Sequence, residues 1–432
     1  MKTTLTKLPN GATVACAPMQ EVESAVIGIW VRNGSRYEEE AVGGVSHFIE
    51  HLLFKGTRKR TAAQISEAVE GVGGELNAFT TEDNTCYYAR FPYDKLDHIF
   101  EVLSDMYLHP AIPAKELERE RGVVIEEIRM YQDQPQTVAM EQLNQQLWSN
   151  HPLGRPITGT VETIRHISRN TIESYRRRAC TPAATIYVFA GRVDPKHCVE
   201  LVRKATEKQT KQPCHKFQRV TTRTRLTPFA ITRRDIEQIH AAVAFRLPFG
   251  REHKTRYALR LLSCILGENM SSRLFQRVRE EAGLCYTISS FTQLFDETSA
   301  LCIYAGLDSS KAKDGLSLAM RETTRLARER ISETELRRAK DYVCGTFRLG
   351  IETASARSSW LGGCLSRSGR ITARETTIAG LEAVSAEEIQ VLAQQIFIPD
   401  RLALSLVVPK EDGTSENAWQ AALTNPIKEL RP

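Results

Sequence analysis

Several features that would place this chain in another class of protein are missing. No run of about 20 apolar residues is present, so the sequence predicts no membrane span. The ten cysteines are scattered and never form a C-x-x-C pair, and those in apolar stretches, such as Cys264 and Cys302, are predicted to be small buried hydrophobic residues. The first six residues lead directly into a predicted strand, so we expect no signal peptide and take the reducing cytoplasm as the simplest compartment.

A strong charge imbalance is also missing. The net charge of +6 is small beside 58 basic and 52 acidic side chains. The basic clusters 58–60 and 176–178 are predicted to be solvated helix faces, and no nucleic-acid-binding motif accompanies them, so we expect no nucleic-acid partner. The 432 residues, 41% of them hydrophobic, are enough for two to three globular domains with substantial cores.

Five residues carry most of the chemical information, and they read His47-Phe48-Ile49-Glu50-His51. In a helix the two histidines, four residues apart, project from one face and can bind one metal ion. Glu50 projects from the same turn. Two neutral nitrogen ligands beside a carboxylate suit a hydrolytic zinc centre, in the reverse of the familiar H-E-x-x-H order.

The pattern alone leaves two interpretations open. One is a zinc-binding helix, and the other is a helix whose histidines hydrogen-bond to backbone or water. Ser46 is the predicted N-cap, Leu52–Phe54 continue an apolar face, and Gly56 ends the run. Such a helix is largely buried, where its histidines and glutamate need polar partners, and one metal ion can serve all three.

A zinc site of this type needs a third protein ligand and keeps its fourth position for water. Residues 114–133 show a long, charged, amphipathic helical pattern in which Glu120 and Glu127 share one face two turns apart. Glu127 lies among apolar residues and is the candidate third ligand. Glu126 is the alternative, but it points about 100° away around the helix.

Together these motifs resemble the pitrilysin-type zinc metallopeptidases, in the short-chain branch that includes mitochondrial processing peptidase and its bacterial relatives. In that family H-x-x-E-H is followed by a glutamate about 75 residues later, and here 75 residues lie between His51 and Glu127. The family segment E-R-x-V-I-x-x-E is similar to residues 120–127, with Val124 in place of isoleucine.

The resemblance implies a role for each of these residues. His47, His51 and Glu127 would bind one zinc ion per chain, Glu50 would be the general base, and Glu120 would be an acid that supports the site. Zinc would activate the water, and Glu50 would take its proton and pass it to the leaving amine.

A second segment, residues 262–290, resembles the family pattern L-G-x-x-x-S-S-R-L-F-x-x-x-R-E-x-x-G-L-x-Y. The resemblance implies that Arg279 and Tyr286 bind the substrate carbonyl and support the oxyanion. The alternative is an ordinary arginine at a helix end and an ordinary strand tyrosine. Only Gly267 stands where the regulatory subunit of the processing peptidase has a glycine-rich loop, so that subunit's role is not expected.

Residues 73–89 are typical of a turn, a strand, a second turn and a second strand. The segment resembles the family hairpin whose edge strand pairs with the substrate backbone, a mode of binding that tolerates many side chains. Asn77, Ala78 and Phe79 are the expected contact positions. The alternative is an edge strand with no binding role.

A weak internal repeat predicts the fold. Ser168 and Ser385 are each followed by an isoleucine after four residues, by Pro182 or Pro399 after fourteen, and then by an apolar strand. We therefore predict an α+β fold of two similar domains, each a mainly antiparallel sheet with helices packed on one face. The predicted boundaries are 1–208 for the zinc-binding domain, 209–224 for a polar linker, and 225–432 for the domain that carries Arg279 and Tyr286.

The function predicted from the sequence is a zinc metalloendopeptidase that hydrolyses peptides or short unfolded polypeptides inside a chamber. The resemblance implies that such chains pair, so a homodimer is expected, with a heterodimer formed with a related chain as the alternative. Two other functions stay open: a non-catalytic scaffold or partner subunit of a processing peptidase, and a structural zinc protein. A full ligand set with a nearby base argues against both.

Overall fold

The computed structural model describes residues 3–221 and 224–428. Met1, Lys2, two residues of the predicted linker (222–223) and residues 429–432 lie outside this range. The strands of the described residues are β1 Thr4–Lys7, β2 Thr13–Pro18, β3 Ser24–Val31, β4 Glu75–Thr80, β5 Thr85–Pro92, β6 Thr185–Gly191, β7 Phe229–Arg234, β8 Gln238–Leu247, β9 Cys285–Leu294, β10 Ser299–Asp308 and β11 Leu402–Pro409.

The α-helices of the same residues are α1 Val45–Leu53, α2 Ala62–Glu70, α3 Leu96–Leu108, α4 Ala114–Asp133, α5 Pro135–Leu147, α6 Val161–His166, α7 Arg169–Ala179, α8 Pro195–Ala205, α9 Arg256–Ser263, α10 Ala312–Arg328, α11 Glu333–Leu349, α12 Ala354–Ser368, α13 Arg374–Ala383, α14 Ala386–Ile396 and α15 Glu416–Lys428. Two π-helical segments, Cys264–Glu268 and Phe275–Glu281, lie between α9 and β9. Helix α4 has the bounds that the charged amphipathic pattern predicts.

The first sheet has the order β1-β2-β6-β3-β5-β4. The pairing of β2 with β6 is parallel and the other pairings are antiparallel. Gly11, with φ +98°, lies in the turn between β1 and β2. Strand β4 is at one end of the sheet and pairs with β5, so the hairpin predicted at 73–89 does present an edge strand.

Alternate residues of these strands point into two apolar cores. On one face, Ile27 and Ile29 of β3 pack in a large core with residues of α1, α3, α4, α7 and α8. On the other face, Trp30 of β3 packs with Leu361 and Leu365 of α12. Alternate side chains of each strand therefore pack against helices on opposite faces of the sheet.

The second sheet has the order β7-β11-β8-β10-β9, with β7 and β11 parallel and the other pairs antiparallel. Val243 and Phe245 of β8 face a core built with α9, α10, α11, α14 and α15. Ala242 and Ala244 face the opposite way and pack in a smaller cluster with apolar residues of α5. The predicted α+β class is confirmed, and α12 and α5 pack on the second faces of the first and second sheets, respectively.

The internal repeat is present in the structure. Ser168 and Ser385 are the N-caps of α7 and α14, and the Ser385 hydroxyl accepts from the backbone N–H of Glu388 in a capping box. Each helix leads through a short 3-10 turn, Pro182–Ala184 or Pro399–Arg401, into a strand, β6 or β11. Both strands have one parallel and one antiparallel neighbour, so the repeated sequence forms the same part of each sheet.

The described chain forms two compact units, and neither is a single stretch of sequence. The first contains Met1–Met130, Arg155–Gln218 and Arg348–Thr372. The second contains Tyr131–Gly154, Arg219–Phe347 and Ala373–Pro432. Helix α12 thus belongs to the first unit and α5 to the second. Among residues 3–221 and 224–428, no helix is both long enough and apolar enough to cross a membrane.

Candidate metal centre and active site

Helix α1 brings the two histidines of the pentapeptide together. Phe48, Leu52 and Leu53 are fully buried in the core of the first unit, and this fixes the rotation of the helix about its axis. The rings of His47 and His51 are neighbours on one face, with their centroids 4.7 Å apart. The spacing of four residues therefore places both imidazoles at one point, as predicted.

The N-terminus of α1 differs from the prediction. Ser46 is not the N-cap: the helix begins at Val45, and the N-cap is Gly44, with φ +90°. A Cβ atom at Gly44 would lie 2.4 Å from the carbonyl oxygen of Thr158, so the close approach of two backbones requires glycine here.

The capping group comes from a distant carboxylate. Glu38, which is buried, accepts hydrogen bonds from the backbone N–H of Gly44 at 2.7 Å and of Ser46 at 2.8 Å. These are two of the N–H groups that the first turn of a helix leaves without a partner. Ser46 instead directs its hydroxyl toward Asn33 and Tyr175, at 3.3 Å each. The metal-binding helix therefore begins on a buried polar cluster.

This cap predicts how stability depends on pH. Burial raises the pKa of Glu38 to about 7, although the hydrogen bonds from Ser46 and Gly44 and the charge of Arg155 oppose that rise. Because the folded state holds the proton more tightly, the stabilisation is complete below the unfolded pKa, near 4.5, and is lost as the pH rises through 7. As the pH rises from 5 to 8, the free energy of unfolding of the wild type should fall by roughly 2 kcal/mol more than that of Glu38→Gln, which has no carboxylic acid at this position.

Urea unfolding at both pH values measures this difference. Glu39→Gln is the matched control, because Glu39 is adjacent in sequence and exposed. It should keep the pH dependence of the wild type. A Glu38→Gln protein with the wild-type pH dependence would contradict the assignment.

Helix α4 supplies the acidic residues. Glu120 is 2% exposed and faces α1, while Glu127, two turns later, is partly buried on the same side. Glu126 has a 70% exposed side chain and pairs with Arg129 on the outer face. The structure therefore favours Glu127 over Glu126 as the third ligand.

His47, His51 and Glu127 form a group whose candidate ligand atoms all lie within 4.8 Å of one another. Oε2 of Glu127 is 3.3 Å from Nε2 of His51 and 3.7 Å from Nε2 of His47. Two ligands of a tetrahedral ion with bonds of about 2.0–2.1 Å are about 3.4 Å apart, so these separations fit zinc. Two imidazoles and one carboxylate also match the donor set of catalytic zinc sites.

The two histidines differ in their surroundings. Burial lowers the pKa of His47 to about 4, and the neighbouring His51 adds to this effect. Burial also lowers the pKa of His51, but contacts with Glu127 and Glu120 and the charge of Glu50 outweigh it, so that pKa is raised. Nδ1 of His51 is 3.4 Å from Glu120, whereas Nδ1 of His47 is buried without a hydrogen-bond partner among the described residues.

Glu50 has a partner that the sequence did not indicate. Thr80, the last residue of β4, donates its hydroxyl proton to Oε2 of Glu50 at 2.6 Å. Burial raises the pKa of Glu50, and the hydrogen bond from Thr80 opposes the rise. A carboxylate with a raised pKa is a better general base at neutral pH. No spacing in the sequence relates Thr80 to Glu50. The contact forms because α1 packs beside the end of β4 in the folded protein.

Strand β4 also carries the predicted peptide-binding positions. Asn77, Ala78 and Phe79 pair with Tyr88, Tyr87 and Cys86 of β5, and they directly precede Thr80. The edge strand therefore ends at the carboxylate of Glu50.

Arg279 and Tyr286 lie in the second unit. Arg279 is in the π-helical segment Phe275–Glu281, and its guanidinium is 4.6 Å from the centre of the Phe275 ring and 5.9 Å from that of Tyr286. Tyr286 lies on β9, at an end of the second sheet, and is 78% exposed. The structure thus brings these two predicted residues together, and π-helical segments often occur at functional sites.

Comparison with known proteins identifies the family. The model for the insulinase family (peptidase family M16) matches residues 13–161, and the model for the peptidase M16 inactive domain matches residues 166–343. The chain belongs to peptidase family M16. The predicted resemblance to the pitrilysin-type metallopeptidases is thereby confirmed, and the H-x-x-E-H helix lies within the first of the two matched regions.

Curated relatives of this M16 chain are named as zinc proteases. An uncharacterised zinc protease of Mycobacterium leprae is 36% identical over 398 residues, covering 91% of this chain and 88% of the relative. An uncharacterised zinc protease of Bacillus subtilis is 33% identical over 403 residues, covering 93% and 97%. These names agree with the donor set of His47, His51 and Glu127.

Solved structures share the M16 fold. A protease from Helicobacter pylori is 21% identical with a TM-score of 0.86, covering 94% of this chain and all of that one. A protein titled as the peptidase M16 inactive domain, from Pseudomonas fluorescens, is 17% identical with a TM-score of 0.88, covering 95% and 98%. At these low sequence identities, the structural similarity establishes the fold that this chain shares with both proteins.

Proposed function

We propose that this M16 chain is a zinc-dependent endopeptidase that hydrolyses peptides or short unfolded polypeptides. The observation that carries the proposal is the convergence of His47, His51 and Glu127 beside the Glu50 carboxylate on buried elements of one unit. A structural zinc site is closed by four protein ligands, whereas a site with three leaves a position for water. The Glu50 carboxylate beside that position can act as a base, which supports a catalytic role and not a structural one.

The residues of the chain divide the chemistry between them. When bound, zinc supplies a Lewis acid that activates water and polarises the scissile carbonyl. Thr80 donates a hydrogen bond to Oε2 of Glu50 and so fixes the carboxylate. Oε1 would then take the proton of the attacking water and pass it to the leaving amine. His47, His51 and Glu127 hold the ion, and Glu120 orients His51 through Nδ1.

The position of β4 supports the proposal that substrate binds as an added strand. Asn77, Ala78 and Phe79 would pair with the peptide backbone, and this pairing would carry the scissile bond toward Glu50 at the end of the strand. Backbone pairing requires an extended chain, so unfolded segments are favoured over folded proteins.

The proposal extends to the second unit and to assembly. Arg279 and Tyr286 would bind substrate carbonyl groups, since a guanidinium and a phenol are both donors to such groups. The proposed active form is a homodimer that encloses the substrate in a chamber, because one chain carries both the zinc helix and this pair. A heterodimer with a related chain is the alternative assembly.

The test is cleavage of an unstructured peptide pool, analysed by mass spectrometry, with a folded protein as a second substrate. We expect internal cleavages in the peptides, none in the folded protein, complete loss of cleavage with a chelator, and recovery on addition of zinc. A zinc-loaded protein that cleaves none of the peptides would overturn the proposal and favour a scaffold or partner-subunit role.

A further inference from the structure

Lys55 lies just beyond the end of α1 and contacts an acidic residue behind the metal ligands. Its Nζ is 2.9 Å from Oε1 of Glu120. The other oxygen of that carboxylate, Oε2, is 3.4 Å from Nδ1 of His51. The three side chains therefore form a row from a cation, through a carboxylate, to a metal-binding imidazole.

The carboxylate at the centre of this row is buried. The Glu120 side chain is 3% exposed, whereas that of Lys55 is 29% exposed and reaches in from the surface. Burial of a carboxylate is costly unless it is paired and hydrogen-bonded. Removing one partner of such a pair leaves the other charge uncompensated, which has a much larger effect than removing a surface ion pair.

The charges of the centre lead to the same residue. Glu50, Glu120 and Glu127 together contribute three negative charges, and a divalent ion balances two of them. Lys55, in direct contact with Glu120, supplies the third positive charge. Only one of the two histidines is in contact with this carboxylate. Nδ1 of His51 is in contact with Glu120, whereas Nδ1 of His47 has no hydrogen-bond partner among the described residues. The arrangement therefore affects the orientation of His51 and not that of His47.

We propose that Lys55 is a positioning residue of the metal centre. It holds the Glu120 carboxylate in the orientation that accepts a hydrogen bond from Nδ1 of His51, and this bond directs Nε2 of His51 toward the metal. The inference rests on the proposed function, since it assumes that zinc binds to His47, His51 and Glu127.

The experiment measures the zinc dissociation constant by competition with a chromophoric chelator. The proteins are the wild type, Lys55→Met, Glu120→Gln, and the double variant. Lys59→Met is the matched control, because Lys59 lies four residues later, is 65% exposed and pairs with Glu101 instead. Loss of groups that orient metal ligands typically weakens metal binding by 10- to 100-fold.

We expect Lys55→Met to weaken zinc binding roughly tenfold and Glu120→Gln to weaken it by at least as much. The double variant should bind zinc no more weakly than Glu120→Gln, because Lys55 acts through Glu120. Lys59→Met should match the wild type. A merely structural ion pair would leave the zinc affinity of Lys55→Met unchanged, so the loss of affinity in this variant is the result that distinguishes the two roles.

Three results would overturn the proposal: an unchanged zinc affinity in Lys55→Met, effects of the two single variants that multiply in the double variant, or an equal loss in Lys59→Met. If Lys55→Met folds poorly, Lys55→Gln replaces it, because the neutral amide removes the charge but leaves a polar group beside Glu120. This variant should also weaken zinc binding, and an unchanged affinity would overturn the proposal. Zinc affinity does not depend on turnover. A protein that binds zinc as described but cleaves no peptide would therefore contradict the proposed function and leave the role of Lys55 standing.

Discussion

Glu50→Gln should reduce the rate of peptide cleavage by roughly 10²- to 10⁴-fold, the range that a positioned general base contributes. The substitution keeps the size of the side chain and its ability to accept the hydrogen bond from Thr80, but the amide cannot take a proton from water. His47, His51 and Glu127 are unchanged, so the variant should still bind zinc.

Two quantities are measured on the same sample, bound zinc and the rate of cleavage of a quenched peptide. Glu126→Gln is the control, since it makes the same change on an exposed side chain of α4. It should bind zinc and cleave peptide like the wild type. A Glu50→Gln protein that binds zinc and cleaves at the wild-type rate would remove Glu50 from the mechanism.

The second large effect concerns the metal. Glu127→Ala should weaken zinc binding by more than roughly 100-fold, because it removes a ligand, whereas loss of an orienting partner costs 10- to 100-fold. Two imidazoles from adjacent turns of α1 would remain, and these do not complete the three-ligand set of a catalytic zinc site. Cleavage should disappear with the metal.

Glu126→Ala makes the comparison specific. Glu126 and Glu127 are adjacent on α4, but the structure turns the first toward solvent and the second toward the histidines. Zinc content after dialysis, with the affinity from chelator competition, should be normal in Glu126→Ala and minimal in Glu127→Ala. The reverse result would show that Glu126, and not Glu127, is the metal ligand on α4.

Local patterns predicted the parts of the site that lie on one element. The spacing of His47 and His51 depends only on helix geometry, and the apolar residues around Glu127 fix the face of α4. The bounds of α4 follow from the same periodicity. The repeat around Ser168 and Ser385 likewise predicted equivalent helices and strands, because a cap and its following apolar segment are local features.

Contacts between distant elements could not be predicted in this way. Ser46 is a reasonable N-cap by residue type, yet Glu38 binds the N–H groups of that helix end, and only tertiary packing places it there. Thr80 and Lys55 reach the site for the same reason, since each meets a carboxylate on another element. Residue type and spacing contain no signal for such pairs.

The assignment of α5 and α12 to units shows the same limit. Both helices have apolar residues that pack on a sheet, but an amphipathic pattern states only that a face is buried and not which sheet covers it. Leu361 of α12 packs against β3 and its neighbours in the first sheet, and Leu143 of α5 packs in the second unit.

The most direct measurement is the rate of peptide cleavage as zinc is added to metal-free protein. We expect no cleavage without metal, a linear rise as zinc is added, and saturation at one zinc per chain. Cleavage that is independent of zinc, or a protein that binds one zinc per chain and cleaves no peptide, would contradict this expectation.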